Sequence, residues 1–481
     1  MKTLYTFIFA AFLLVACNDW LDVSPAGEIK ASDMYRDEEG FQGVLAGVYV
    51  AMADPALYGR TMTMQLPELL VRHWDVSTDA SLEGYLRDYR FEQSIVKNHI
   101  TNTWRAYYNA IVSLNSLLGA IDEKKEIFTA GNYNLVKGEA LGLRAFLHFD
   151  VLRLWGPVPV NADTSAIAIP YVREVTRDVD KLVSISYGRV LRAIIDDLDA
   201  AGELLADDPI KRYHSSILNS GSNGPDNEFW YFRQNRFNYL AVQATKARYY
   251  QWIGHHDLAV THARAVIEAT ISGSSTRVFE LATERTVGGD IDVDADLTMG
   301  VEHIFAVHNA HLLSNIESFF FLGNCKQELT TIDEAWEKTA HSNDIRNKPN
   351  RYWEIFQAVK QQAVFKKYYD PDAKTAATVV PLIRLAEMYF IVMAHGPLDE
   401  ANRLLVDFRV ARVMDLSIDN SLVTPADVHS RLEREYRKEF FCEGQMFYFY
   451  KRLGQPNLTW PVIVENVPYQ LPKPEQQANF E

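Results

Sequence analysis

Hydrophobic positions recur at steps of three and four residues along most of the chain, which predicts a succession of helices. Trp104, Tyr108, Ile111, Asn115 and Leu118 follow this spacing and therefore share one helical face. The next predicted helix, 138–155, ends at Gly156-Pro157, because proline cannot continue a helix. The two together predict a helical hairpin.

The same periodicity predicts further helices over residues 187–205, 237–253, 257–271, 382–394, 399–413 and 425–450. Tyr250, Gly254, Ala259 and Ala263 are spaced as in a tetratricopeptide unit, where small residues let two antiparallel helices approach closely. The predicted fold class is mainly α, a stack of degenerate tetratricopeptide-like helix pairs with long irregular loops and minor β hairpins.

Three segments between these helices differ in composition and carry aromatic clusters, namely 58–91, 214–232 and 272–329. Long loops in a compact protein are usually functional or disordered. Aromatic clusters favour function, since disordered segments seldom contain them.

The N-terminus has the pattern of a secretory signal. Lys2 precedes an apolar run over residues 4–15, which is too short to span a bilayer, and the small Ala16 stands directly before Cys17. This order predicts a lipoprotein signal, 1–16, with cleavage before a lipidated Cys17. The alternative is an ordinary signal peptide that ends near a cysteine. No later stretch of 18 apolar residues follows, so lipid would be the only anchor.

Composition narrows the function classes. The 481 residues are 48% hydrophobic and 23% charged, a globular balance that excludes disordered, collagen-like and polytopic membrane proteins. The formal charge of −15 would repel a phosphate backbone, so we expect no nucleic-acid partner. Two cysteines, Cys325 and Cys442, are too few for a disulfide scaffold. The sequence leaves open whether these two form a disulfide bond with each other.

Catalytic and metal signatures are scarce. The sequence contains no nucleotide-binding glycine loop, no serine elbow and no zincin histidine pair, and we predict no cofactor. A glycosidase carboxylate pair leaves no local signature, so a secreted helical glycosidase remains an alternative. Two histidine groups, 255–262 and 303–311, do not place two rings on one helical face, and we predict no metal site there.

One acidic run is a weaker candidate for a cation. Asp290, Asp292, Asp294 and Asp296 alternate along the chain. An EF-hand loop starting at Asp290 would need a glycine where Ala295 stands and a glutamate at the twelfth position, so a solvated acidic loop is favoured over calcium.

Several short motifs occur in a fixed order along both halves of the chain. In the N-terminal half they are Trp20-Leu21-Asp22 with Pro25, the run Phe41 to Tyr49, the face Trp104, Tyr108, Ile111 and Asn115, Gly138-Glu139-Ala140, Arg144-Ala145 and Gly156-Pro157-Val158-Pro159. In the C-terminal half they are Arg384 to Tyr389, Arg409 to Arg412, Glu433-Arg434, Glu439, Glu443-Gly444 and Arg452. Together these motifs resemble the SusD/RagB family of nutrient-binding outer-membrane lipoproteins, and the resemblance covers essentially the whole mature chain.

Four positions depart from the family pattern. Met446 and Phe449 stand where the family usually has Arg and Asp, and Leu453 replaces a usual Trp. Positions three apart on a helix touch, so an apolar pair has taken the place of a charged one, which indicates a structural role. His395 stands where the family tends to have an acidic residue.

The resemblance implies a lipid-anchored outer-membrane protein that faces the cell exterior and is not an enzyme. Such a protein captures a nutrient, typically an oligosaccharide or polysaccharide, and delivers it to a SusC-like TonB-dependent transporter. There are two alternative functions: capture of a peptide, as in the RagB branch, and a role as a pure interaction scaffold. We expect an N-terminal region, 17–215, and a C-terminal region, 216–481, to form one compact body.

Glycan capture needs flat apolar faces for sugar rings and hydrogen-bonding groups around them. On loop position, we predict ligand platforms at Trp74, Tyr85, Trp230, Tyr231 and Phe320, with Asn309 as a polar partner. Replacing Trp74 or Trp230 by alanine should then weaken binding without lowering the melting temperature. The alternative for each ring is that it packs its own loop.

Overall fold

The computed structural model describes residues 34–478 apart from 130, 177, 179–181, 222–223, 289–294, 321–324, 348–351, 358–361, 371–374, 419–420 and 464–465. The described residues do not include the predicted signal segment, 1–16, the predicted lipidation site Cys17, the side chain of Cys325, or Asp290, Asp292 and Asp294. Among the described residues, none of the helices has the length and apolar character needed to cross a bilayer.

The described chain is mostly helical, which confirms the predicted fold class. Its α-helices are α1 Glu38–Met52, α2 Leu66–Leu70, α3 Leu82–Arg87, α4 Ser94–Ile121, α5 Asn132–Trp155, α6 Tyr187–Leu204, α7 Ser215–Leu218, α8 Tyr239–Trp252, α9 His256–Ile267, α10 Glu284–Val287, α11 Leu312–Phe320, α12 Leu329–Ala335, α13 Leu385–His395, α14 Leu398–Ala411, α15 Pro425–Glu439, α16 Gln445–Leu453 and α17 Glu475–Ala478. A π-helical turn covers Thr61–Gln65, and 3-10 turns cover Asp122–Ile127, Pro159–Asn161, Pro209–Lys211, Glu228–Trp230, Arg233–Asn235 and Gly300–Glu302.

The strands are short and pair antiparallel. They are β1 Asp75–Val76, β2 Ile167–Ile169, β3 Ile185–Ser186, β4 His303–His308, β5 Cys325–Glu328, β6 Trp353–Gln357, β7 Gln362–Phe365, β8 Tyr369–Asp370, β9 Thr375–Ala376, β10 Val379–Arg384, β11 Leu458–Thr459 and β12 Val462–Ile463. One sheet has four strands in the order β1-β5-β7-β6. In the pair β4 and β10, His308 lies opposite Val379 and His303 opposite Arg384.

The predicted hairpin is formed by α4 and α5. The indole rings of Trp104 and Trp155 meet edge to face at 5.0 Å, and Arg144 donates a hydrogen bond to Asn115 Oδ1 at 3.0 Å. Helix α5 ends at Trp155, as Gly156-Pro157 predicts. Its last carbonyls would be unpaired in the interior, but the buried Lys451 ammonium donates to Gly156 O at 2.8 Å.

Helix α5 is buried on almost every side, because other elements surround it. A Cβ at Gly142 would lie 2.4 Å from the Phe237 ring, so glycine is what allows this close approach. The pairs α8–α9 and α13–α14 follow, and the buried Arg248 and Glu387 join α8 to α13 through two hydrogen bonds of 2.7 and 2.6 Å.

The hydrophobic core contains residues from Tyr35 to Leu471, with members on both sides of residue 215. One part of it is a cluster of aromatic rings around Phe441. The centroids of His73, Trp74, Trp336, Trp353 and Phe365 lie 5.0 to 5.5 Å from the Phe441 ring. Division of the chain into regions 17–215 and 216–481 stays a prediction.

Two local predictions were wrong. The stretch 425–450 is two helices, because Cys442 and Gly444 adopt positive φ angles of 62° and 71° and turn Phe441 into the aromatic cluster. The segments predicted as loops also contain helices, α2 and α3 in 58–91 and α11 in 272–329. Short helices stabilised by tertiary packing leave little periodic signal in the sequence.

Candidate functional site

A cavity of about 1190 Å³ opens where six parts of the chain meet: the end of α1, the segment around α7, the 3-10 turn Arg233–Asn235, residues 295–303, residues 366–368 and the ends of β4 and β10. This volume lies slightly above the roughly 300–1,000 Å³ that ligand pockets commonly enclose, so the cavity has room for a ligand larger than a single sugar ring. The described lining combines aromatic, amide, hydroxyl and basic side chains: Tyr49, His214, Ser215, Ser216, Asn219, Phe232, Gln234, Asn235, Arg236, Asp296, Thr298, His303, His308, Lys366, Lys367, Tyr368 and Thr378.

The turn Arg233–Asn235 forms one wall, and Arg233 fixes it from behind. The Arg233 guanidinium is completely buried and binds Asp208 through Nε at 3.0 Å and Nη2 at 2.6 Å, while Nη1 binds Glu139. The Asn238 amide donates to Arg233 O at 2.9 Å and to Ile304 O at 2.7 Å. Because charged hydrogen bonds from its side chain and a bond from Asn238 to its carbonyl hold Arg233, the turn that begins at this residue is a rigid support for the residues that face the cavity.

Phe232 is the exposed aromatic residue of this wall. Its side chain is 45% exposed, and its backbone lies in the left-handed region at φ 55° and ψ 38°. A non-glycine residue there costs on the order of 1 kcal/mol and is held by its surroundings, here by a hydrogen bond from Phe232 N to Leu218 O at 2.8 Å. The structure therefore maintains a strained backbone that presents an apolar ring to solvent at the cavity.

Amide groups line the wall beside Phe232. The Gln234 amide donates to His303 O at 2.8 Å and accepts from Asn219 Nδ2 at 2.7 Å, which orders both side chains. Partly exposed Asn235 follows Gln234 on the same turn. A ring face next to ordered amides and hydroxyls is the combination that holds a sugar, which has an apolar C–H side and a hydroxyl rim.

Charged groups in the lining are mostly basic. Arg236, Lys366 and Lys367 carry positive charge, against the single carboxylate Asp296 among the described lining residues. Burial lowers the pKa of the Lys367 ammonium, although the Glu443 carboxylate next to it opposes this shift. Burial also lowers the pKa of the His303 imidazole, whose Nε2 donates to Thr298 O at 2.8 Å.

Two of the six residues predicted to bind ligand lie in the aromatic core. Trp74 is 1% exposed, and its indole donates a hydrogen bond to Met64 O at 2.8 Å. Phe320 is also 1% exposed and meets the Trp74 ring at 5.4 Å. These contacts favour the alternative that the rings pack the protein interior. The expectation that Trp74→Ala leaves stability unchanged is therefore not supported by the packing.

The other four predicted residues lie apart from the cavity lining. Tyr85 is half-buried beneath the Arg90 guanidinium, which is 5.9 Å from the ring centroid. Trp230 is half-buried and donates to Asn132 Oδ1 at 2.8 Å, and the buried Tyr231 hydroxyl accepts from Gly224 N at 2.9 Å. Asn309 donates to Ala53 O at 2.9 Å. A ligand-binding role for the six residues stays a prediction.

Sequence reasoning did not single out Phe232 or Arg236. Phe232 is the last of four consecutive aromatic residues, and the run itself does not tell which ring faces solvent. Its exposure depends on the left-handed turn and on the buried Arg233 next to it, neither of which has a local signature.

Metal binding gains no support from the described residues. No group of three or more His, Cys, Asp or Glu side chains in that part of the chain is arranged to hold a metal ion. Asp296, the described aspartate of the acidic run, accepts hydrogen bonds from Thr298 Oγ1 at 2.7 Å and Gly300 N at 2.6 Å. Its carboxylate therefore stabilises the turn that begins at Gly300.

Comparison with known proteins gives a consistent result. Residues 19–218 match a SusD-like family model described as starch-binding and associating with the outer membrane. A SusD-like protein from Bacteroides ovatus is 25% identical over 200 residues, which are 41% of this chain and 34% of the relative. The matched segment thus spans about a third of the length of that relative.

Solved structures match over almost the whole chain. A SusD superfamily protein from Bacteroides thetaiotaomicron has a TM-score of 0.68 at 19% identity, with 92% of this chain and 98% of that protein covered. A SusD-like carbohydrate binding protein from Bacteroides vulgatus has a TM-score of 0.62 at 17% identity, covering 87% and 84%. These similarities establish the fold.

Proposed function

We propose that the chain belongs to the SusD/RagB family and that it binds an oligosaccharide in the cavity beside Phe232. The proposal places the protein on the outer membrane through a lipidated Cys17, facing the cell exterior. It further assigns delivery of the bound glycan to a TonB-dependent transporter.

The exposed Phe232 ring is the observation that carries the proposal. A fixed apolar ring at a polar cavity supplies a stacking surface for the C–H face of a sugar. Asn235 and Ser215 lie in the same lining and offer amide and hydroxyl groups to the hydroxyl rim of the sugar. The description of one structural relative as a carbohydrate binding protein supports the same ligand class.

Binding without hydrolysis is favoured over a glycosidase activity. Hydrolysis of a glycosidic bond usually needs two carboxyl groups on either side of the bond. The described lining contains one, Asp296, and both its oxygens accept hydrogen bonds from the turn that it stabilises. The matching family model is described as starch-binding, and one protein of similar structure is described as carbohydrate binding.

A transporter partner follows from the physical situation of a tethered binder. A protein held by lipid at Cys17 has no channel of its own, and a shared membrane raises the effective concentration of the two partners. We expect the native protein to co-purify with a large β-barrel protein from mildly solubilised outer membranes. After cell fractionation, the Cys17→Ala variant should no longer be found in the membrane fraction. Retention of this variant after washing, in cells that lack the transporter, would contradict the lipid anchor.

Calorimetry on the soluble form that begins after Cys17 tests the ligand assignment. Titration with neutral and acidic oligosaccharides, polysaccharides and peptides should show saturable binding to a glycan, which is recovered intact after incubation. Phe232→Ala should weaken this binding roughly tenfold, because an aromatic contact of about 0.5–1.5 kcal/mol and its buried area are lost. The melting temperature should not change, since the ring is exposed.

Trp230→Ala and Trp74→Ala are the matched comparisons. Trp74→Ala should lower the free energy of unfolding by about 3–5 kcal/mol, because it leaves a cavity in the aromatic core. If Trp230→Ala loses binding while Phe232→Ala retains it, the site lies at the residues predicted from sequence. Saturable binding of a peptide alone would favour a RagB-like function, and cleavage of the oligosaccharide would show an enzyme.

A further inference from the structure

The described lining of the cavity differs in charge from the chain as a whole. The protein has 63 acidic and 48 basic residues, so an average cavity lining would contain more carboxylates than ammonium or guanidinium groups. The described lining instead contains Arg236, Lys366 and Lys367 with the single carboxylate Asp296. A local excess of positive charge in an acidic protein points to recognition of a negatively charged group.

Two of these charges already have partners. Asp296 accepts hydrogen bonds from Thr298 and Gly300, and Lys367 forms a buried ion pair with Glu443. They shape the cavity wall. Recognition of a ligand therefore depends on groups whose hydrogen-bonding capacity is still available.

Arg236 is such a group. It follows the rigid turn directly, its side chain is 22% exposed, and its guanidinium lies over the Phe229 ring at 4.2 Å. The nearest carboxylate oxygen, Glu139 Oε2, is 3.7 Å from Nη1, which is too long for a hydrogen bond. Nη1 is buried towards Glu139 and has no hydrogen-bond partner within the described chain, whereas Nε and Nη2 are not buried and form no hydrogen bond to a described residue.

The arrangement around Glu139 explains why Arg236 keeps free donors. Glu139 Oε1 accepts from Arg233 Nη1, and Oε2 accepts from the Tyr49 hydroxyl at 2.6 Å. Both oxygens are thus occupied by better-placed donors. The Glu139 carboxylate therefore lies near Arg236 without accepting a hydrogen bond from Nη1.

We propose that Arg236 is the ligand-binding residue that recognises an oxyanion substituent, so that the oligosaccharide taken by this cavity is acidic. This deepens the proposed function and rests on it. The planar guanidinium can donate two parallel hydrogen bonds to a carboxylate of a uronic acid or to a sulfate ester. Phe232, four residues earlier on the same cavity wall, would hold the adjoining ring face.

The test compares acidic oligosaccharides with their own neutral forms. Oligogalacturonate and oligoalginate are each titrated beside the methyl ester, and a chondroitin sulfate oligosaccharide beside its desulfated, methyl-esterified form. At least one acidic probe should bind about tenfold or more tightly than its neutral form, and added salt should reduce the difference. Carboxylate and sulfate probes distinguish the two sources of the anion.

Substitutions of Arg236 test whether this residue causes the preference for the acidic probe. Arg236→Gln should weaken binding of the preferred acidic probe about 10–100-fold and leave any binding of its neutral form within about threefold. Arg236→Lys, which keeps the charge and loses the planar fork, should recover only part of the affinity. Arg212→Gln is the matched control, because this arginine is on the surface, pairs with Asp207 at 3.5 Å and does not line the cavity. Melting temperatures of all three report on folding.

The outcomes separate this inference from the proposed function. If neutral forms bind as tightly as the acidic ones, or if only a neutral glycan of the first calorimetric panel binds, the assignment of Arg236 is overturned while glycan binding stands. Equal loss of acidic and neutral binding in Arg236→Gln would show a general wall residue and also overturn it. Absence of saturable binding for every glycan would remove the proposed function itself.

Discussion

Single side chains decide several properties of this protein that composition does not reveal, and His148 is one of them. The ring lies on α5 and is completely buried, with Nδ1 donating to Arg144 O at 2.8 Å and Nε2 accepting from Val172 N at 3.1 Å. Burial lowers the His148 pKa from 6.5 to about 3, and the nearby Arg144 charge acts in the same direction. The neutral ring is therefore part of the folded structure.

This pKa shift predicts a pH dependence of stability. A histidine whose pKa is lowered on folding binds a proton in the unfolded state first, so its contribution is complete above pH 6.5 and decreases as the pH falls toward about 3. We expect the free energy of unfolding to decrease by up to about 1.4 kcal/mol per pH unit from this residue alone. Urea unfolding between pH 7.5 and 4.5 measures the slope.

His148→Gln isolates the contribution, because glutamine offers both a donor and an acceptor and does not titrate. The free energy of unfolding of this variant should depend less steeply on pH than that of the wild type. The difference corresponds to about one proton fewer taken up on unfolding. The exposed His311 provides the control, and His311→Gln should retain the wild-type slope. An unchanged slope in His148→Gln would show that other groups cause the pH dependence.

At the scale of elements, helix ends are set by backbone conformation as much as by periodicity. The break between α15 and α16 depends on Gly444, whose φ is 71° and whose N–H donates to Glu68 Oε1 at 2.9 Å. A Cβ at this position would lie 2.6 Å from Met62 O. The turn therefore requires glycine both for its left-handed backbone and for the close approach of α2 and the preceding turn.

Gly444→Ala should destabilise the protein by about 2 kcal/mol or more, since the left-handed conformation alone costs a residue with a Cβ about 1–2 kcal/mol. Gly43→Ala is the matched control. Gly43 is exposed in the middle of α1, and a Cβ there meets nothing within 4 Å. That variant should be more stable by about 0.5–1 kcal/mol. Urea denaturation compares both, and equal effects would contradict the assigned role of Gly444.

At the scale of the whole molecule, helices from both halves of the chain complete one another. The C-terminal segment returns to the end of α5, where Trp155 Nε1 donates to Pro472 O at 3.1 Å and Leu471 N to Leu154 O at 3.1 Å. Phe237 packs against Gly142, and Arg233 binds Glu139. Described residues before and after residue 215 therefore pack in one hydrophobic core.

A fragment that ends at residue 215 should consequently fail to fold. It would expose the sides of α5 that the rest of the chain buries, and helix pairs of this kind depend on their neighbours for stability. We expect no cooperative thermal transition by circular dichroism for this fragment, whereas the mature chain should show one. A cooperative transition of the isolated fragment would indicate two independent domains.

The sequence alone determined the helical architecture and the resemblance to the SusD/RagB family. Helix periodicity is local, so the positions of α4, α5, α8, α9, α13 and α14 follow from the spacing of apolar residues. The ordered motifs from Trp20 to Arg452 identified the SusD/RagB resemblance, because several weak patterns in a fixed order are specific together. These features depend on neighbours within a few turns of the chain.

The tertiary structure alone decided which side chains face the cavity. The sequence predicts that Trp74 and Phe320 lie on loops. In the structure the Trp74 ring packs in the core against Phe320 and against Phe441, which is far away in sequence. Phe232 and Arg236 face the cavity because Arg233 between them is held by Asp208 and Glu139 from other elements. The exposure of an aromatic or charged side chain is set by contacts between distant segments, which local sequence patterns do not encode.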